Sequence, residues 1–125
     1  MINNFNISQD KRKVSWQHDG QLVEFNYAHP VYANHIEYLN EVIIHSSVRE
    51  SGEQNLALYK EDGSLKVRPQ MPKRQPKVNG VYAVWFVQGQ RQQTVVLLSE
   101  EFKPYDTACT FDLETHRFSN FHRTN

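Results

Sequence analysis

The sequence predicts an all-β fold, an antiparallel meander of about four hairpins with one short helical turn. Three observations predict it. Val (12), Ile (5), Thr (5) and 15 aromatic residues make up 37 of the 125 positions, against only 5 Ala, and β-branched and aromatic side chains suit a pleated, half-buried surface. Short alternating runs are separated by Asp-Gly and other turn residues at hairpin spacing. An aromatic residue also stands four positions ahead of each turn, at Trp16, Tyr59, Trp85 and Phe111. The length predicts one domain over residues 1–125, since a chain of this size buries roughly two-thirds of its unfolded surface.

The elements follow in order. VSWQHDGQLVEFNY (14–27) holds two strand-like runs around Asp19-Gly20, a pair that favours a type I′ turn because both central residues need positive φ. The next segment, HPVYANHIEYLNEVIIHSSVRESGEQ, carries Tyr32, Ile36, Leu39 and Ile43 at helical spacing after Pro30, which predicts a short helical turn. The β-branched run Val42-Ile43-Ile44 predicts a buried strand from Glu41 to Ser47, followed by a loop at Ser51–Gln54. LALYKEDGSLKVR (56–68) is a second hairpin around Asp62-Gly63; VYAVWFVQ and QTVVLL flank Gly89 as a third; CTFDLETHRFSNF (109–121) turns near Glu114-Thr115 as a fourth. Between the second and third, PQMPKRQP (69–76) holds three prolines and cannot join a central ladder, so it predicts an extended surface loop.

The four aromatic anchors lie 43, 26 and 26 residues apart. That near-repeat fits an ordinary meander, blades of a propeller, or a small sandwich. A complete propeller typically has at least four blades of four strands, so blades here would need a partner chain for closure.

Charge is balanced overall, 14 Lys+Arg against 14 Asp+Glu, which argues against a uniformly basic nucleic-acid or membrane-surface domain. It is not balanced locally. Residues 37–62 carry Glu37, Glu41, Glu50, Glu53, Glu61 and Asp62 against Arg49 and Lys60, whereas residues 63–99 carry Lys66, Arg68, Lys73, Arg74, Lys77 and Arg91 and no acid. Either the two blocks cancel in space as solvated faces or the basic loop meets an acidic partner. The single cysteine, Cys109, has no internal disulfide partner, and the first residues, MINNFNISQDKRKV, lack a signal-like apolar stretch. The expected compartment is the cytoplasm, with no membrane association.

Chemistry-bearing motifs are sparse. His29 and His35, like His116 and His122, are six apart; on a continuous strand that is roughly 20 Å, too far to share an ion. No HExxH, CxxC, GxSxG, P-loop or dinucleotide turn is present, so no metal or cofactor is expected. Cys109 alternates as a core residue of the Thr107–Leu113 strand. His18 beside Asp19, His45 near Glu41, and His116 near Asp112 and Glu114 keep open a small hydrolase or ribonuclease built on His/carboxylate pairs. Trp85, Phe86 and Arg91, with Arg117-Phe118 and Phe121-His122-Arg123, combine aromatics and bases as single-strand nucleic-acid binders do, although their alternation suits core strands better.

VNGVYAVWF (78–86) and DTACTFDLETHRFSNF (106–121) resemble hairpins of small bacterial β-rich proteins, including some toxin-immunity proteins, over about 25 of the 125 residues. The resemblance implies a cytoplasmic inhibitor that occludes a cognate toxin. The residues themselves point the same way, toward a non-catalytic protein-binding module. Its expected contact residues are Lys66, Arg68, Lys73, Arg74 and Lys77 on the basic loop and Arg49, Glu50 and Glu53 on the 48–54 loop. A protein partner is the expectation, and a homodimer is compatible with it.

Overall fold

Eleven strands and one helical turn make up the chain in a computed structural model that describes residues 1–124. The strands form three antiparallel sheets, and in each the spatial order follows the chain order. The first sheet holds β1 (Asn3–Ile7), β2 (Lys13–His18) and β3 (Gln21–Asn26). The second holds β4 (Tyr32–Ile36), β5 (Glu41–His45), β6 (Leu56–Tyr59) and β7 (Leu65–Val67). The third holds β8 (Val81–Trp85), β9 (Gln92–Leu97), β10 (Thr107–Asp112) and β11 (Phe118–Arg123). Among the described residues no sheet closes into a barrel. All four expected hairpins are present, joined by a fifth between β4 and β5 and by the N-terminal strand β1. At the first hairpin Asp19 and Gly20 have φ of 49° and 76°, the positive pair that a type I′ turn needs.

The second sheet is the middle layer, with a core on each face. Ile36, Ile43, Leu56 and Leu58 pack with Val81, Val95, Leu97, Cys109, Phe111 and Leu113 of the third sheet and its connections. Val42, Ile44, Ala57 and Tyr59 pack with Val14 and Trp16 of the first. Successive residues of a strand point to opposite faces, so a strand with a core on both sides must be apolar throughout. That accounts for the unbroken Val42-Ile43-Ile44 and for the burial of all of β5 and β6.

The same two-sided burial displaces the expected helical turn. Tyr32 to Ile36 is strand β4: Val31 and Ala33 enter one core and Ile36 the other, while Tyr32, the first of the helically spaced residues, is exposed. The helix forms instead at α1 (Val48–Ser51), inside what the sequence suggests is loop. Ser47 caps it by accepting a hydrogen bond from the Arg49 amide at 3.1 Å, and Gly52, at φ 67°, ends it.

Three of the four aromatic anchors, Trp16, Tyr59 and Phe111, are buried, whereas Trp85 is 56% exposed. Trp85 and Phe111 also lie in one sheet, so the spacing marks hairpins rather than one anchor per sheet. The outer face of the first sheet is largely polar, with Lys13, Ser15, Gln17, Glu24 and Asn26, and offers little apolar area for ring closure by another chain.

Two buried amides pin connections, one of them between layers. Asn55, 1% exposed, donates to the carbonyls of Ser46 and Val81 and accepts from the Val81 amide, each at 2.8 Å. It stitches the β5–β6 connection to the start of β8. Gln93 similarly holds the β8–β9 turn through Val87 and Gln90. Trp16 donates from Nε1 to the Glu61 carbonyl at 2.7 Å, fastening the β6–β7 turn to the first sheet. Among the described residues no helix is long and apolar enough to cross a membrane.

Candidate functional site

The two loops expected to contact a partner lie side by side. Residues 53–54, just after α1, and residues 70–78 line one open groove of about 740 Å³. Proline explains the second wall: Pro69, Pro72 and Pro76 keep the segment extended and outside any ladder. Val78 is buried and Met71 half-buried, and both pack with the core shared by the second and third sheets. The loop is therefore anchored at its base while Gln70, Lys73 and Gln75 stay exposed.

The expected contact residues are occupied to different degrees. Lys77 pairs with Glu53 at 2.9 Å, bridging the two walls, and both side chains remain largely exposed. Arg68 donates to the Gln54 carbonyl at 3.3 Å. Lys66, on β7, pairs with Glu41 at the start of β5, away from the groove. Arg74 makes a bidentate pair with Glu101 at 2.9 and 2.6 Å and lies 4.0 Å from the Phe121 ring centroid. Glu101 raises the Arg74 pKa further, and Arg74 lowers that of Glu101. Glu50 accepts from the amides of Ala28 and His29 at 3.2 and 2.8 Å, holding the β3–β4 connection. Arg49 and Lys73 are exposed, with no carboxylate in ion-pair range among the described residues. The acidic and basic blocks of the sequence meet in two ion pairs, Lys66 with Glu41 and Lys77 with Glu53, whereas Arg74 and Arg91 pair with acids outside the acidic block, Glu101 and, at 2.9 Å, Asp112.

The histidines considered for acid–base chemistry are dispersed. His18 sits between Asp19 at 3.3 Å and Glu61 at 3.5 Å. His45 is at the opposite end of β5 from Glu41; its Nε2 hydrogen bonds to the Val81 carbonyl at 2.8 Å, and burial lowers its pKa. His116 has its pKa lowered by burial and then by the Lys66 charge. Its neighbour Asp112 is engaged elsewhere. Partial burial opposes ionisation there, but the amides of Thr115 and Glu114 and the Arg91 guanidinium hold the carboxyl down at about 2. Cys109 is a core residue whose thiol is pushed up by burial to about 12, which leaves it protonated and a poor nucleophile. No group of three or more His, Cys, Asp or Glu side chains is arranged to hold a metal among the described residues.

No family model and no curated protein sequence matches the chain. Its fold does have a solved counterpart. A chain in the structure described as "Structure of Tne2 in complex with Tni2" is similar to it, with a TM-score of 0.61 and 11% identity over 90% of this chain and 77% of that one. At that identity the likeness is one of fold.

Sequence reasoning passed over a second surface at Tyr32 and Tyr82, and its reading of Trp85 as better suited to a core strand does not hold. Tyr32, Tyr82 and Trp85 are 59%, 62% and 56% exposed, and the two tyrosines line grooves between β4 and β8. Alternation in VYAVW marks a strand but does not distinguish an edge strand from a central one, so nothing in the pattern separates displayed rings from core rings.

Proposed function

We propose that this chain is a non-catalytic protein-binding module, in its most concrete form a cytoplasmic immunity protein that occludes a toxin. The observation that carries the reading is the convergence of the 48–54 and 66–77 loops on one groove. Its base is anchored in the core, its rim is polar, and Lys73 is exposed beside it. Prolines lower the entropy lost when such a loop docks. Two supports stand beside this: the hairpins resemble those of some toxin-immunity proteins, and the fold is like that of a chain solved within a complex of two proteins.

The mechanism is steric and electrostatic. The partner lies across the groove, Lys73 and Arg49 meet its acidic groups, and Lys77 exchanges Glu53 for a partner carboxylate. Arg74 and Glu50 act indirectly by holding the loop and the β3–β4 connection in place. The test is affinity capture from the native host by the wild-type chain and by a Lys73→Ala/Lys77→Ala variant. One stable partner, inhibited by the wild type and captured about tenfold more weakly by the variant, a loss of about 1.4 kcal/mol, supports the reading. A partner captured equally by both removes these loops from the interface.

A further inference from the structure

The first strand of the second sheet and the first strand of the third are both edge strands. They face a groove of about 660 Å³, which the β1–β2 turn closes from the side of the first sheet. Edge strands expose unpaired backbone groups unless something covers them. Among the described residues both edges are covered at their ends, by side chains and one loop carbonyl acting as stand-ins for a neighbouring strand. On β8, Asn55 satisfies the amide and carbonyl of Val81. On β4, the Gln88 amide donates to the His35 carbonyl at 2.8 Å and accepts from the Glu37 amide at 2.9 Å. The Val31 amide is taken by the Lys11 carbonyl at 2.7 Å.

Ladder alternation then identifies what is left open. The groups of Val31, His35 and Glu37 that make these bonds point away from β5, so by period two those of Ala33 do the same. On the other side Leu98 bonds toward β8, through Gly80 and Asn79. Val96 and Thr94 therefore bond toward β8 as well, and they pair with Ala83 and Trp85. That leaves the amide and carbonyl of Val84 turned outward. Ala33 and Val84 both line the groove.

The side chains around these open groups are specific in character. Tyr32 and Tyr82 are more than half exposed, and no acidic side chain lines the groove. Lys11 is its cation, held at φ 62° with its amide bonded to the Ser8 carbonyl and its ammonium 4.8 Å from the Tyr32 ring centroid. Among the described residues no carboxylate lies in ion-pair range of Lys11.

We propose that the groove between β4 and β8 is a docking site for an extended, acidic segment of a partner protein, which bonds the open backbone at Ala33 and Val84 and sets a carboxylate on Lys11. Main-chain bonds along a sheet edge supply affinity, and the flanking side chains choose the sequence. Aromatic or aliphatic residues of the segment lie against Tyr32 and Tyr82, with the acidic residue between them and the β1–β2 turn. The site shares no lining residue with the loop groove and does not depend on it; the segment comprising α1 and the residues after it separates them, with Val48 beside Tyr32 and Tyr82 and Glu53 in the loop groove.

Peptide selection tests the site whatever protein carries the segment. Random peptides of about nine residues, the length of a long strand, are displayed on phage and selected on the full chain, and the selected peptides are synthesised and titrated. The expected result is enrichment of Asp or Glu among apolar and aromatic residues, with amide shifts and slowed exchange centred on Ala33 and Val84. Affinity should fall about tenfold in Lys11→Glu and, separately, in Tyr82→Ala, and stay unchanged in Lys73→Ala. Absence of any selected peptide, peptides that bind Lys11→Glu as well as wild type, or shifts confined to the 48–54 and 66–77 loops would overturn the proposal. A chain that elutes as a dimer whose interface contains β8 would assign the edge to a second copy and overturn it too.

Discussion

The two grooves differ in what they leave free. Around the loop groove the charges are conspicuous in the sequence and mostly matched in the structure: Lys77 by Glu53, Arg74 by Glu101, and, further off, Lys66 by Glu41. The groove between β4 and β8 is poor in charge, yet its cation, Lys11, is unmatched among the described residues and its tyrosines are displayed. A charged side chain that already has a partner contributes to binding only the difference between old and new contacts. Density of charge along a chain is therefore a poor guide to where a partner gains most.

The largest expected effect comes from the residue that stands between the two grooves. Asn55→Leu leaves the Val81 amide and the Ser46 carbonyl buried without this partner and should cost about 3 kcal/mol, read as a fall in the urea midpoint, while loosening both sites together. Gly80 gives a companion test. At φ 133° a Cβ there would meet a Val48 methyl at 2.9 Å and the Asn55 side-chain Oδ1 at 3.1 Å, so Gly80→Ala should destabilise in the same direction.

Acidification should act next. Burial lowers the pKa of His45 and His116 from 6.5, so below that value the unfolded chain takes up protons that the folded chain resists. Their contribution is complete above the unfolded pKa and is lost as pH falls. Denaturant midpoints should drop between about pH 7 and pH 5, and the drop should be smaller in His116→Gln. Opposite behaviour, a protein stabilised over that interval, would mean that the two imidazoles are not held neutral.

Within the loop groove itself, Arg74→Ala should lower the thermal midpoint because it frees Glu101 and uncovers Phe121. Lys73→Ala should leave stability within about 0.5 kcal/mol of wild type while weakening partner capture. That contrast separates the residue that holds the loop from the one that displays charge. Equal thermal shifts would erase the distinction.

Much of the fold is legible in the residues. Asp19-Gly20, Asp62-Gly63, Gly89 and Glu114-Thr115 each mark a hairpin that forms. Val42-Ile43-Ile44 reads as a buried strand because only a strand between two cores is apolar at every position. The position of the helical turn is not legible, since two-sided burial breaks the period of two at Val31, Ala33 and Ile36. The adjacency of the two candidate loops is a product of tertiary packing, as is the pairing that matches Lys77 with Glu53. Lys11 is invisible as a site residue for the same reason: nothing local to it reveals that Tyr32 and β8 lie across the groove.

The most direct test of a binding role at the loops is hydrogen exchange on the complex with a captured partner, compared with the free chain. Slowed exchange in residues 48–54 and 66–77 is the predicted result. A partner bound with exchange unchanged in both segments would contradict it.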